Sequence, residues 1–142
     1  MDVNDKLRSG LHIAARKGDM EMMRVLLSHK GVNVNQVDAE NQTAIFEAIE
    51  KKNFEMTLLL HESGANLEHR EMLLRTPLYF AASVGAKEIL RYLIAQGCNV
   101  NVPSNLGRTA LGKACWNGET EIARLLLEDK TVDIDYRDNN NR

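Results

Sequence analysis

Histidine and cysteine side chains often bind metals or act in catalysis. This sequence has four histidines and two cysteines. The histidines are His12, His29, His61 and His69, and they share no common spacing. Glu62 follows His61, but no second histidine stands four residues after His61, so the zinc-protease motif is absent. The sequence also lacks a glycine-rich phosphate loop and a nucleophile elbow. It therefore predicts no catalytic, cofactor-binding or metal-binding site.

The two cysteines, Cys98 and Cys115, are too few for a disulfide framework in a chain of 142 residues. We expect each to be a small buried thiol in a reducing compartment. The first ten residues lack the apolar core of a signal peptide, and no apolar run reaches the roughly 18 residues of a membrane helix. The sequence thus predicts a cytoplasmic or nuclear protein without a membrane partner.

The bulk composition narrows the choice of partner further. The formal net charge is −2 and the isoelectric point is about 6.1. No strong field therefore attracts nucleic acid, and we expect none to bind. Hydrophobic residues make up 44% of the chain, which is enough for a sizeable core.

An internal repeat is the main organising feature. Residues 76–82 (TPLYFAA) recur 33 residues earlier as TAIFEAI, 33 residues later as TALGKAC, and once more at 9–15 as SGLHIAA. A second motif recurs in step with the first, as GVNVN at 31–35, GANLE at 64–68, GCNVN at 97–101 and TVDID at 131–135. Four copies at a nearly constant step predict a repeat architecture.

Each copy predicts two short helices. A threonine or serine can cap the first helix, and Pro77 stands where a missing N–H costs nothing. Leu78, Ala81 and Ala82 give a thin apolar face at helical spacing. A glycine such as Gly85 ends this helix, and a second helix with its own apolar face follows.

The repeated unit resembles the ankyrin repeat (Thr-Pro-Leu-His-x-Ala-Ala, a glycine, a leucine pair, then Gly-Ala-Asp-Val-Asn), and the resemblance covers nearly the whole chain. It implies an all-α solenoid of antiparallel helix pairs linked by β-hairpin-like fingers. We place repeats at about 4–37, 38–70, 71–103 and 104–137, with 138–142 beginning a fifth. The resemblance also implies that His12, the one histidine at the motif position, is a structural hydrogen-bonding residue.

Two departures from the ankyrin pattern concern the backbone. Lys52 stands where the turn glycine is expected, which costs about 1 kcal/mol if the residue is left-handed. Leu74 stands where other copies have Gly107 or Asn41. Because a bulky residue resists positive φ, we expect the finger at 71–75 to be reshaped.

The last copy has the apolar pattern of an internal unit, whereas solenoid ends usually carry polar capping repeats. We expect the chain to be part of a longer protein that is cut at a repeat boundary. The alternative is a natural end covered by self-association through the uncapped last repeat.

The resemblance implies that partners bind to the fingers and to the groove side of the first helices. Trp116, the single tryptophan, is the leading candidate for a partner-binding residue, because tryptophan, tyrosine and arginine dominate interface hot spots. The predicted partner-binding residues are Trp116, Asn117, Val84, Met72, Leu73, Arg75, Leu106, Arg108, Tyr136 and Arg137. The alternative for Trp116 is that it packs against the neighbouring finger.

A row of arginines precedes the caps, at Arg8, Arg75, Arg108 and Arg142. Such a row suits an acidic segment, although surface arginines are also often merely solvated. The sequence therefore predicts a protein-interaction module for a protein or peptide with acidic residues beside an apolar anchor. The alternative is the non-catalytic recognition arm of a larger multidomain enzyme.

Overall fold

The computed structural model describes residues 9–142, which form eight α-helices and no β-strand. The helices are α1 (Gly10–Lys17), α2 (Met20–Leu27), α3 (Ala44–Glu50), α4 (Phe54–Glu62), α5 (Pro77–Val84), α6 (Lys87–Ala95), α7 (Ala110–Asn117) and α8 (Thr120–Leu127). Consecutive helices pack as pairs, one pair in each predicted repeat. The all-α fold prediction is confirmed. None of the described helices is both long and apolar enough to cross a bilayer.

Local sequence sets where these helices begin and end. Ser9, Thr76 and Thr109 cap α1, α5 and α7 by accepting a hydrogen bond from the backbone N–H three residues later. The same three helices end at glycines with left-handed φ, namely Gly18, Gly85 and Gly118. The capping pattern thus fixes short helices before any packing is considered.

The first helices of the pairs stack in one row, with α1 against α3, α3 against α5 and α5 against α7. Alanines on these helices are buried and allow close approach. The second helices add larger side chains, and Leu60, Leu93 and Leu126 occupy the same register position in a continuous core. Each pair therefore buries apolar surface against the neighbouring pairs.

Lys52 has a φ of 53°, so it adopts the left-handed conformation in the turn after α3. We predict that Lys52→Gly stabilises the protein by about 1 kcal/mol, because glycine adopts this φ without steric cost. Chemical denaturation would measure the gain. Lys51→Gly is the matched control, since Lys51 has a φ of −82° and should gain nothing. Equal effects at both positions would contradict the backbone explanation.

The finger at 71–75 is not reshaped, so that expectation is wrong. Leu74 has a φ of 59°, and its N–H donates to the carbonyl of Glu71 at 2.8 Å. Gly107 makes the same bond to Ser104 at 2.8 Å. The buried Glu71 carboxylate holds the turn by accepting bonds from the N–H groups of Leu73 and Arg75, both at 3.0 Å. These bonds offset the local strain at Leu74.

The cysteine prediction is half right. Cys98 is buried, and burial, with the nearby Glu68 carboxylate, raises the pKa of its thiol to about 12. Cys115 is exposed, so the prediction of a buried thiol there is wrong. Its register equivalents Ile49 and Ala82 are covered by the next helix pair, whereas no described helix packs on that side of α7.

Candidate functional site

The fingers that link the helix pairs are tight turns, each capped by its own first residue. Asp38, Glu71 and Asp138 accept hydrogen bonds from backbone N–H groups two and four residues later. Ser104 takes this place in the third finger and accepts from Leu106 N–H. Local side-chain acceptors therefore fix the shape of every finger.

Neighbouring fingers are also joined to one another by main-chain hydrogen bonds. Met72 N–H donates to Glu40 at 2.9 Å, and Asn105 N–H donates to Leu73 at 2.9 Å. Asn139 N–H donates to Leu106 at 3.2 Å. A row held in this way is preorganised, so ordering it would add little entropy cost to the binding of a partner.

Two adjacent fingers carry four apolar side chains at this row, which we name the finger-tip patch. They are between 42% and 57% exposed, and they are Met72, Leu73, Leu74 and Leu106. Polar fingers flank the patch on both sides, with Glu40 before it and Asn139 after it. An apolar centre with a polar rim is the arrangement of protein-binding hot spots.

The arginine row is largely occupied by the chain itself. The Arg75 guanidinium donates to both Glu71 carboxylate oxygens, at 3.1 and 3.2 Å, and lies 5.0 Å from the centre of the Phe80 ring. The Arg108 guanidinium lies 3.4 Å from the Asp138 carboxylate. Two of the four guanidinium groups thus already have carboxylate partners. Arg8 lies outside the described residues.

Trp116 is 60% exposed, yet it is not without neighbours. The guanidinium of Arg108 lies 5.1 Å from its ring centre and that of Arg142 lies 4.9 Å away. Cation–π contacts of this kind contribute about 0.5–1 kcal/mol each at exposed sites. Trp116 therefore contacts the finger arginines while most of its surface remains open to a partner.

A groove of 440 Å³ lies on the outer side of the last helix pair. It brings together Trp116, Arg108 and Tyr136 from the predicted site. The finger-tip residues do not line it, so the predicted residues fall on two surfaces and not on one. Leu127 and Ile134 also line the groove and were not among the predicted partner-binding residues. The apolar pattern of the last copy, which was expected to be uncapped, was the available signal.

The remaining predicted residues are less prominent. Val84 is half-buried and packs against the core, which leaves it little surface for a partner. Asn117 is exposed at the end of α7, and the Arg137 guanidinium donates to the carbonyl of Asn141. Leu74 belongs to the finger-tip patch but was treated only as a backbone problem. Its place at the end of the apolar run Met72-Leu73-Leu74 was the available signal.

The histidines do not assemble a site. His12 is fully buried, where its Nδ1 accepts from Ser9 N–H at 3.2 Å and its Nε2 donates to the carbonyl of Gln42 at 2.8 Å. His12 is therefore a structural hydrogen-bonding residue that ties α1 to the next finger. Within residues 9–142 no group of three histidine, cysteine or acidic side chains is placed to hold a metal ion.

These features define a helical solenoid with an exposed row of hydrogen-bonded fingers. The family description "Ankyrin repeats (3 copies)" matches residues 1–71 and 57–138. The chain therefore belongs to the ankyrin repeat family.

Individual relatives share only parts of their length with this chain. It is 32% identical over 80 residues to protein phosphatase 1 regulatory subunit 27 of Mus musculus, covering 56% of this chain and 52% of that protein. It is 31% identical over 83 residues to the probable 26S proteasome regulatory subunit p28 of Saccharomyces cerevisiae, covering 58% and 36%. Glycerophosphocholine phosphodiesterase gde1 of Schizosaccharomyces pombe is 32% identical over 123 residues, which are 82% of this chain but 11% of that protein. The chain thus spans about half, or less, of the length of these relatives.

Proposed function

We propose that this chain is a non-catalytic protein-interaction module whose finger-tip patch receives the apolar anchor of a partner protein. The observation that carries the proposal is the set of four exposed apolar side chains on two fingers that are hydrogen-bonded to each other. Two of the relatives are regulatory subunits by name, which supports a binding role. The alternative of a recognition arm within an enzyme has less support, because gde1 resembles this chain over only 11% of its own length.

We further propose that acidic residues flank the partner's anchor. Arg75 and Arg108 contribute little to this preference, because their guanidinium groups already contact Glu71 and Asp138. Arg137, just before the last finger, and Arg142, at its end, are the better candidates, since both are exposed and neither forms an ion pair among the described residues. Charge-assisted hydrogen bonds from these groups would favour carboxylates.

A second copy of the chain is a further proposed partner. Leu127 at the end of α8 and Ile134 after it are exposed, whereas their equivalents Ile94 and Leu67 in the inner repeats are half-buried and pack against the core. An exposed apolar face of this kind is typical of association surfaces. A cytoplasmic or nuclear location also remains our proposal. It fits the two free thiols, and imaging of a tagged chain would test it.

Paired substitutions at the finger tips test the main proposal. We expect Leu73→Asp with Leu106→Asp to weaken partner binding by about 30-fold or more, because each places a charge in an apolar contact. Thermal stability should stay near wild type, since both side chains are exposed. The measurement is affinity capture from cell extract, followed by titration of each partner that wild type captures.

Val25→Asp is the matched control, because Val25 is an exposed apolar residue on α2, away from the fingers. It should retain the partners that the double variant loses. Equal capture by all three proteins would show that the finger tips are not the docking surface.

A further inference from the structure

The first helix pair exposes apolar residues at positions that the inner pairs bury. Met22 is 47% exposed, whereas its register equivalents Met56, Ile89 and Ile122 are at most 1% exposed. Val25 is 60% exposed, whereas its equivalents Leu59 and Tyr92 in the inner pairs are half-buried and Leu125 in the last pair is buried. Each later pair packs this face against the preceding pair. In the first pair the same face is exposed.

The last helix pair presents the opposite half of the same interface. Leu127 is 47% exposed, and its register equivalent in the second pair is His61. His61 reaches the next pair, where its Nδ1 lies 2.5 Å from the hydroxyl oxygen of Tyr92. Tyr92 is the register equivalent of Val25. The contact between His61 and Tyr92 thus shows where Leu127 would meet Val25 of a second copy.

A ladder of hydrogen bonds between repeats also stops with complementary ends. The Asn35 side chain accepts from Asn66 N–H at 2.8 Å, Glu68 accepts from Asn99 N–H at 2.9 Å, and Asn101 accepts from Asp133 N–H at 2.7 Å. One step after the last bond of this series, the acceptor position is the Asp135 carboxylate. One step before the first bond, the donor position is Asn33 N–H. Within the described part of the chain, neither group forms the corresponding bond.

The fingers repeat this relation. The bonds from Met72 to Glu40, from Asn105 to Leu73 and from Asn139 to Leu106 define a donor and an acceptor position in each finger. One step beyond the last of these bonds, the acceptor is the carbonyl of Asn140. It accepts no such bond among residues 9–142.

Charge is complementary at the two ends as well. Arg24 on α2 lies 3.4 Å from Glu55 on α4. The register equivalent of Arg24 in the last pair is Arg124, and the equivalent of Glu55 in the first pair is Glu21. Both are exposed, so stacking a second copy in the same register would bring Arg124 of one copy to Glu21 of the next.

We propose that copies of this chain stack head to tail, with the first helix pair of one copy docked on the last helix pair of another in the geometry that joins the internal repeats. The inference extends the proposed self-association by naming the second surface. The contact uses different faces on the two copies, so it does not close on itself and continues into longer assemblies.

Sedimentation velocity of residues 1–142 over a range of concentrations tests this arrangement. Wild type should show a weight-average sedimentation coefficient that rises with concentration. Leu127→Glu and Val25→Asp should each weaken self-association by at least about tenfold, because each puts a carboxylate in an apolar contact. Circular dichroism should show both variants folded, since both side chains are exposed.

The mixture of the two variants decides the geometry. The Leu127→Glu protein keeps an intact first pair and the Val25→Asp protein keeps an intact last pair. A one-to-one complex should therefore form on mixing and should not grow further. A wild type that stays monomeric at every concentration overturns self-association, and a mixture that stays monomeric overturns the head-to-tail arrangement.

Leu106→Asp is the control for specificity. It should self-associate like wild type while losing the finger-tip partner. The finger-tip proposal and the stacking proposal can therefore fail independently of each other. Arg124→Glu mixed with Glu21→Arg gives a second complementation test on polar side chains alone, and failure to form a complex there would likewise count against the register.

Discussion

Replacing Phe46 with alanine is expected to destabilise the protein by about 3–5 kcal/mol, the largest effect of any single substitution considered. Phe46 is fully buried between repeats, at the position where the ankyrin pattern has histidine. Its ring meets Phe80 edge to face with centroids 5.5 Å apart and His69 at 6.2 Å. Truncation removes these contacts and leaves a cavity at the junction of two helix pairs.

Urea denaturation followed by circular dichroism would measure this loss. The slope of the transition should be checked as well, because a solenoid weakened in the middle can unfold in parts. Trp116→Ala is the aromatic control. It should cost only about 1–2 kcal/mol, from the contacts with two guanidinium groups. A loss for Trp116→Ala as large as that for Phe46→Ala would mean that Trp116 is a packing residue and not an open contact.

Glu71→Gln is expected to cost about 2–4 kcal/mol, because it leaves the Arg75 guanidinium without its charge partner in a partly buried site. The carboxylate accepts bonds from two backbone N–H groups and from that guanidinium. It also holds the turn in which Leu74 has positive φ. Losing the charge therefore weakens both the ion pair and the strained finger.

The pH dependence of this effect follows from the pKa of Glu71. Burial alone would raise this pKa, but the hydrogen bonds and positive charge of Arg75, with the Leu73 N–H, lower it below the ordinary value of 4.5. The folded state thus binds the proton less tightly than the unfolded state does. The stability that Glu71 contributes is fully present above pH 4.5 and is lost as the pH falls through the lowered value. The difference between wild type and Glu71→Gln should shrink over that range.

Glu55→Gln is the control, since Glu55 also pairs with an arginine but is exposed. It should change stability by less than about 1 kcal/mol, because surface ion pairs contribute little. Equal losses for the two variants, or a difference at Glu71 that does not vary with acid pH, would contradict the buried-pair explanation.

Much of the solenoid was predictable from the sequence because its determinants are local. Serine and threonine caps, Pro77 and the glycines at 18, 85 and 118 set the first helices within a few residues of themselves. The step of 33 residues then requires each pair to stack on a structurally equivalent neighbour. The same register placed Lys52 at a glycine position, and the structure gives it the left-handed φ of that position.

The proposed recognition surface was only partly predictable, because exposure depends on what lies across from a residue. Leu127 and Ile94 share a register position, yet only Leu127 is exposed, since the pair that would cover it is not among the described helices. Cys115 was misassigned for the same reason. Arg75 and Arg108 looked like free cations in sequence, and only the folded fingers show the carboxylates they contact.

The sequence by itself determined the repeat, the helix limits and the buried stripe, because caps, turn residues and apolar spacing act over fewer than about ten residues. The tertiary structure alone decided that the fingers join into one row and that the outer faces of the first and last described helix pairs are exposed. These properties arise from hydrogen bonds and contacts between residues about one repeat apart, so they exist only once the helix pairs are stacked.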